Sequence, residues 1–209
     1  RLTIGASMTI ATYLLPPLLA RFLAVNPGVD VRVVTGNTDA VTERLVDYEL
    51  DLALVGSPVH DARVQSKHWY DHTLVIIAPR THRLIQRGDL TTADFQGERW
   101  IVREQGSGTR LFAARVLEDV GIRIERMLEV DSVDGLVQSV AVGLGLAVVP
   151  EEAAEDLVAV GKLAILGAGQ YRFPWPLYGM RLRERTASTA VRRFGALAGL
   201  DDLFVVPAA

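Results

Sequence analysis

Cysteine is absent from the 209 residues of the chain. Its absence excludes disulfide bonds, thiolate metal sites and cysteine nucleophiles, and it leaves the redox compartment open. A long uninterrupted apolar run is also missing, because the most apolar early segment, ATYLLPPLLARFLAV, contains Pro16, Pro17 and Arg21. We therefore expect no membrane span. The segment lacks the charged start and the cleavage site of a signal peptide as well.

A large excess of charge of one sign is missing too. The 22 basic and 25 acidic residues give a net charge of -3, and 49% of the residues are hydrophobic. This composition is typical of a folded protein with a sizeable core, and nothing in it suggests a basic surface for nucleic acid. If the protein acts on DNA, we expect another part of it to bind the DNA.

Short β-branched runs alternate with helical patterns along the chain, which predicts a mainly parallel α/β fold with helices as crossovers. The predicted strands span residues 2–6, 29–35, 51–55, 73–78, 99–102, 126–130, 146–149 and 177–182. The predicted helices include one ending near residue 25 and others at residues 38–48, 108–120, 133–142, 151–160 and 188–200. Pro16 and Pro17 are expected to open the first regular helix, since proline is tolerated in a first turn.

Two stretches of the chain share one plan. Residues 33–55 and 128–149 each read as a strand, a short polar turn, a helix and an apolar strand. Each follows a strand that runs into a small polar turn, GASMTIA in the first case and EQGSGTR in the second. Two related βαβ halves would make two lobes with a cleft between them. Ligands of open α/β sheets bind beyond the carboxyl ends of the strands, so the polar turns that follow the strands would face this cleft. The similarity is loose enough to arise in any two βαβ units.

The segment EQGSGTRLF, residues 104–112, is not a nucleotide motif. The third glycine of a dinucleotide fingerprint is absent, and Arg110 stands where a P-loop has its serine or threonine after lysine. Its glycines and hydroxyls at the start of a helix suit an anion or a carboxylate. The alternative is an ordinary N-cap, in which Ser107 or Thr109 caps the start of the helix after a glycine turn.

No catalytic constellation is recognisable, so we expect no enzyme activity, no cofactor and no metal. A serine nucleophile would need a histidine base, and none of the four histidines lies in a motif that identifies one. His68 and His72 are four residues apart, but their segment reads as a loop entering a strand. Asp51, Asp131 and Asp134 could pair across a cleft or serve as turn residues, and Asp134 is interpreted as a helix cap.

The ordered series of motifs resembles the effector-binding domain of LysR-type transcriptional regulators. The similarity runs from LTIGASMTIATYLLPPLLARFLAV through TLVIIAPRTHRL and VREQGSGTR to VGLGLAVVPEEAAEDL. GNT and GSGTR are most similar to the regulators of sulfur assimilation and carbon fixation. The resemblance implies a type 2 periplasmic-binding-protein fold, an α/β class with two Rossmann-like lobes, two crossover hinges and an effector in the interlobe cleft. Lobe I would comprise residues 1–76 and 171–209, and lobe II residues 77–170.

The resemblance also implies which residues bind the effector. In the first lobe they lie in the turns after successive strands, at Ser7, Met8, Thr9, Gly36, Asn37, Thr38, Gly56 and Ser57. In the second lobe they lie in the GSGTR turn and the neighbouring turn, at Gln105, Gly106, Ser107, Gly108, Thr109, Arg110, Asp131 and Ser132. We interpret the effector as a small anion or carboxylate held by hydroxyls and backbone N–H groups, with Arg103 or Arg110 adding charge. The alternative for Arg110 is an intramolecular ion pair.

Further partners follow from the same resemblance. It implies a cytoplasmic regulator that forms an antiparallel homodimer, in which the first helix and second strand of one subunit face the LFAARVLEDV helix and IERMLEV strand of another. The intact protein would be a homotetramer that binds DNA through an N-terminal winged helix-turn-helix domain, which is absent from these residues. A solute-binding protein of a transport system is the alternative function, since it shares the two-lobed design.

Overall fold

The computed structural model describes residues 1–167 and 169–204, which form two compact units. Unit 1 comprises Arg1–Asp71 and the chain from Pro176 onward, and unit 2 comprises His72–Trp175. The chain passes from one unit to the other within two strands, β4 (Val64–Pro79) and β9 (Arg172–Leu182). The lobe boundaries expected from the sequence stay a prediction. No helix in the described ranges has the length and apolar character to cross a membrane.

Unit 1 is built on a parallel sheet. Strands β1 (Leu2–Ser7), β2 (Val31–Gly36) and β3 (Leu52–Val55) run parallel, with β1 in the middle, and β9 adds antiparallel to β3. Every residue of β3 is buried, as expected for a strand covered on both faces. The helices of unit 1 are α1 (Leu15–Val25), α2 (Thr38–Val46) and α6 (Thr189–Leu197).

A π-helical segment, Ile10–Leu14, leads directly into α1. The N–H of Leu15 donates to the carbonyl of Ile10, five residues back. Pro16 and Pro17 follow, and neither has the N–H that would continue an α-helical hydrogen-bond ladder to residues 12 and 13. The two prolines thus open the regular helix as predicted, and the distorted lead-in before them is a wide helical turn.

Unit 2 contains the parallel pair β5 (Arg99–Arg103) and β6 (Arg126–Val130). Strands β7 (Ala147–Pro150) and β8 (Leu163–Ile165) pair antiparallel with β4. Its helices are α3 (Gly108–Asp119), α4 (Val133–Ala141) and α5 (Glu151–Ala159). Gly145 allows the chain before β7 to pass against β5, because a Cβ atom there would lie 2.3 Å from the carbonyl oxygen of Arg99.

The predicted helices α2 to α6 end within three residues of the observed bounds, whereas four strand predictions need correction. Strand β9 begins at Arg172 and not at residue 177. The sheet is mixed rather than mainly parallel, since β3–β9, β4–β7 and β4–β8 are antiparallel. Strand β4 begins at Val64, so His68 and His72 lie in a strand and not in a loop. Strand β8 was not predicted, because three residues are too few to show a period.

Candidate functional site

The predicted turns of unit 1 lie at one edge of its sheet. Ser7, the last residue of β1, pairs in register with Gly36, the last residue of β2. Gly56 follows β3, which pairs parallel with the other side of β1. Because the carboxyl ends of parallel strands meet at the same edge, the sheet brings these three turns together.

Three hydroxyl groups at this edge are buried without a hydrogen-bond partner in the described part of the chain. They are the Oγ of Ser7 and the Oγ1 atoms of Thr9 and Thr38. Thr9 is 1% exposed and Thr38 is 3% exposed. A buried hydroxyl left unpaired costs about 1–3 kcal/mol, and a ligand that pairs with it removes that cost. The arrangement therefore favours a ligand with several hydrogen-bonding oxygens.

Local structure explains why Thr38 is not used as a helix cap. Asn37 occupies the cap position of α2, and its Oδ1 accepts the N–H of Ala40 at 2.9 Å. Thr38 is then the first residue of the helix, where its side chain is not needed for capping. Its carbonyl oxygen accepts the hydroxyl of Thr42 at 2.7 Å. Helical residues begin at Met8 after β1 and at Thr38 after β2.

The remaining predicted residues of unit 1 are glycines or half-buried side chains. Met8 and Ser57 are half-buried, and Gly56 is buried. At Gly36 a Cβ atom would lie 3.2 Å from the Cβ of Ala40, so the glycine permits close packing of the turn on α2.

In unit 2 the predicted turn satisfies most of its own side chains. Ser107 is the cap of α3, and its Oγ accepts the N–H of Arg110 at 3.4 Å. Gly106 has φ +82°, a left-handed conformation that glycine adopts without strain. Ser107 and Thr109 are both 6% exposed, whereas Gln105 is exposed. The ordinary-cap interpretation therefore describes Ser107 correctly.

Both arginines near this turn form ion pairs within the chain. Arg103, 3% exposed, donates to the two carboxylate oxygens of Glu104 at 2.8 and 3.0 Å. Arg110 Nη1 donates to the carbonyl of Arg103 at 2.8 Å and to Glu129 at 2.5 Å. The intramolecular ion pair considered for Arg110 is thus what the structure contains.

The neighbouring turn of unit 2 precedes α4. Ser132 caps this helix, and its Oγ accepts the N–H of Gly135 at 3.1 Å. Asp131 is exposed, and its carbonyl oxygen accepts a hydrogen bond from Arg103 at 3.2 Å. The interpretation of Asp134 as the cap is wrong, because the shorter Ser132 side chain already occupies that position.

Asp51, His68, His72 and His82 each contact a charged side chain of the same chain. Asp51 accepts the N–H of Thr3 at 2.8 Å and pairs with Arg185 at 2.5 Å, which makes it structural. His68, His72 and His82 each contact a carboxylate of a different residue. Within the described residues no group of three or more histidine, aspartate or glutamate side chains could hold a metal ion.

Sequence reasoning missed one further buried hydroxyl in unit 1. Ser66, on β4, has a buried Oγ without a hydrogen-bond partner among the described residues. It lines a surface pocket together with His60, Tyr178 and Arg183. No motif marks this set, since its members come from separate parts of the chain.

The shifted pKa values lie outside the predicted turns. The side-chain hydrogen bond from Arg63 lowers the pKa of Asp61 to about 2. Burial raises the pKa of Tyr171, whose hydroxyl donates to the carbonyl of Leu90 at 3.2 Å. Neither group lies in the turns of the site, so these shifts identify structural contacts and not a general acid or base.

The fold places the chain in a class of ligand-binding domains. It superposes on the Synechocystis PCC6803 CcmR regulatory domain in complex with 2-PG with a TM-score of 0.84 and 27% identity, covering 96% of this chain and 97% of that one. The effector-binding domain of QuiR in complex with shikimate matches with a TM-score of 0.80 over 94% of each chain, and its 18% identity shows the fold alone. The expected α/β class, the type 2 periplasmic-binding-protein-like fold, is confirmed.

Residues 1–199 match the family model of the LysR substrate binding domain, and the chain belongs to this family. It is 35% identical over 147 residues to the transcriptional regulator CysL of Bacillus subtilis, covering 70% of this chain and 49% of the relative. It is 32% identical over 198 residues to the RuBisCO operon transcriptional regulator of Acidithiobacillus ferrooxidans, covering 92% and 64%. The chain thus spans about half to two thirds of these relatives. The resemblance is confirmed, and the relatives are regulators rather than enzymes.

Proposed function

We propose that this chain is the effector-sensing part of a longer transcriptional regulator and that it binds a small anionic or carboxylate effector. The observation that carries the proposal is the group of three buried, unpaired hydroxyls at the edge of the unit 1 sheet, on Ser7, Thr9 and Thr38. The CcmR regulatory domain, 27% identical, was solved in complex with 2-PG, which supports a small ligand for a domain of this kind.

The effector-binding roles differ between residues in this proposal. In unit 1 the three hydroxyls donate to effector oxygens, and the backbone at Met8, Gly36, Asn37, Gly56 and Ser57 supports them. In unit 2 the segment from Gln105 to Arg110 contributes chiefly the N–H groups of Gly108 and Thr109 at the start of α3, where the helix dipole favours negative charge. The N–H groups of Ser107 and Arg110 already donate within the turn. Asp131 and Ser132, in the turn before α4, also contact the effector in this proposal. No cofactor has a role.

The proposal includes a homodimer, and exposed apolar side chains support it. Unit 1 exposes Leu23, Val25 and Val33 on α1 and β2, and unit 2 exposes Leu111 and Met127 on α3 and β6. These are the elements that the family resemblance pairs across subunits. In the intact protein, we propose a cytoplasmic homotetramer that binds DNA through an N-terminal domain. The names of the relatives favour this function over a transport solute-binding protein.

The test is isothermal calorimetry of the purified chain with 2-PG, inorganic phosphate and sulfate. At least one of these should bind, and Thr9→Val should weaken its binding at least about tenfold, since one hydrogen bond to a charged group contributes about 1.5–3 kcal/mol.

Thr38→Val should weaken binding in the same way, and its matched control is Thr42→Val, one turn further along α2. This control removes a hydroxyl that already donates to a backbone carbonyl. Its affinity should equal that of the unchanged chain. If Thr9→Val and Thr38→Val leave the affinity unchanged, these hydroxyls do not contact the effector. If none of the three anions binds, the proposal of an anionic effector is wrong.

A further inference from the structure

Unit 1 contains a surface pocket of about 470 Å³ outside the turns described above. Its lining comes from the segment of residues 58–66, from Tyr178 on β9 and from Arg183, which directly follows β9. The volume lies within the range of about 300–1,000 Å³ that is typical of small-molecule sites. The pocket begins one residue after Ser57, and none of the residues assigned to the effector lines it.

Arg183 brings to this pocket a cation that has no counter-ion in the described part of the chain. Its side chain is exposed, and its Nε donates to the carbonyl of Ala62 at 3.0 Å. Its Nη1 and Nη2 groups have no partner within residues 1–167 and 169–204. The bond to Ala62 orients the planar guanidinium, which presents two N–H groups that match the two oxygens of a carboxylate.

The acidic side chain at the pocket, Asp61, is already compensated by a different arginine. Arg63 donates to Oδ1 of Asp61 from its main-chain N–H at 2.8 Å and from Nε at 3.0 Å. It donates to Oδ2 from Nη2 at 2.7 Å. Asp61, Arg63 and Arg183 together therefore carry one net positive charge, which favours an anion at the pocket.

The rest of the lining combines a phenol with apolar side chains. Tyr178 is half-buried, and its hydroxyl forms no hydrogen bond within the described ranges. The ring contacts His68 edge to face, with centroids 6.1 Å apart at an interplanar angle of 87°. Val59 and Val64 add an apolar wall, and Val59 and Tyr178 both pack on the core of unit 1. The lining thus suits an anion that carries a hydrocarbon part.

We propose that this pocket is a second ligand site, which takes a small carboxylate with a short hydrocarbon chain. The carboxylate accepts from the Nη groups of Arg183 and from the hydroxyl of Tyr178, while the hydrocarbon packs on Val59 and Val64. The site depends on residues of unit 1 that the effector does not use. It is therefore occupied independently of the turns at Ser7, Thr9 and Thr38.

The test is a titration of the nitrogen-15-labelled chain with butyrate, followed through the main-chain N–H signals of His60 and Ala62. Butyrate should shift both signals to saturation. Butyramide, which has the same shape without the charge, and acetate, which lacks two CH2 groups, should both bind more weakly. Thr9→Val should leave the butyrate affinity measured at these signals unchanged, because Thr9 does not line the pocket.

Substitutions in the lining separate this pocket from general attraction of anions. Arg183→Gln should weaken butyrate at least about tenfold. Tyr178→Phe keeps the ring and its packing and should also weaken butyrate, which guards against misfolding of Arg183→Gln. Lys67→Gln removes the same charge from an exposed position on β4 outside the lining and should leave the affinity unchanged.

Four results would overturn the proposal. They are an absent or unsaturable shift, equal affinities for butyrate and butyramide, undiminished binding to both Arg183→Gln and Tyr178→Phe, and an equal loss of affinity in Lys67→Gln and Arg183→Gln. A loss of butyrate binding in Thr9→Val would assign the signal changes to the effector turns and would overturn it as well.

Discussion

The turns after β1 and after β5 look alike in sequence, and they differ in how their polar groups are satisfied. After β1, the hydroxyls of Ser7 and Thr9 are buried and unpaired within the described chain. After β5, Ser107 caps its own helix and Arg110 pairs with Glu129. Unit 1 therefore presents groups that need a partner, whereas unit 2 presents groups that already have one. We expect side chains of unit 1 to contribute more effector affinity than side chains of unit 2.

The largest expected effect comes from removing the unit 1 hydroxyls together. The double variant Thr9→Val and Thr38→Val should lose about 100-fold in effector affinity if each hydroxyl contributes about 1.5 kcal/mol. Its free energy of unfolding should stay the same or rise, because replacing an unpaired buried hydroxyl by a methyl group removes a desolvation penalty. Calorimetric titration and urea unfolding measure the two quantities. A marked fall in stability would show that the hydroxyls do have partners within the fold.

The opposite behaviour is expected for the cap in unit 2. Ser107→Ala should lower the free energy of unfolding by about 1 kcal/mol, the usual cost of losing a helix cap. Its effect on effector affinity should be smaller than that of Thr9→Val. Ser132→Ala, which removes the cap of α4, is the matched control for stability. If Ser107→Ala weakened binding more than Thr9→Val did, the contrast between the units would be reversed.

A smaller effect should follow from releasing Arg110. Glu129→Gln removes the charge of its partner, and since the Glu129 side chain is 49% exposed, the loss of stability should stay below about 1 kcal/mol. Anion affinity should increase if the freed guanidinium contributes to the site. Arg115→Gln, which removes the cation of an exposed ion pair on the same helix, serves as the comparison. An unchanged affinity would leave Arg110 with a structural role only.

The smallest effect concerns Asp61, far from either turn in sequence. Its pKa is lowered to about 2 by Arg63, so the contact stabilises the folded chain above the ordinary pKa of an aspartate and loses this contribution as the pH falls toward 2. Carbon-detected NMR of the Asp61 carboxyl should show that pKa, and Arg63→Ala should return it toward the ordinary value near 3.8. An equal pKa in both proteins would contradict the assigned cause.

The sequence predicted the features that depend on local chemistry. The helices began after Asn37, Ser107 and Ser132 because short polar side chains cap the helix next to them. The first half of β4 was missed, since QSKHWYD carries too many polar residues for a buried-strand pattern. The sequence also could not predict that the Thr9 hydroxyl has no hydrogen-bond partner, because this depends on which groups surround the hydroxyl in three dimensions. The partner of Arg110 lies 19 residues away and no spacing rule indicates it.

The π-helical turn at Ile10–Leu14 has a consequence for how the site can evolve. A helix advances about 100° per residue, so a single residue gained or lost before α1 would swing Met8 and Thr9 to a different side of the chain. Pro16 and Pro17 lack the two backbone N–H groups that an ordinary α-helix would use as donors at these positions. The carbonyl groups of residues 12 and 13 therefore lack their α-helical donors directly after the turn that contains Thr9.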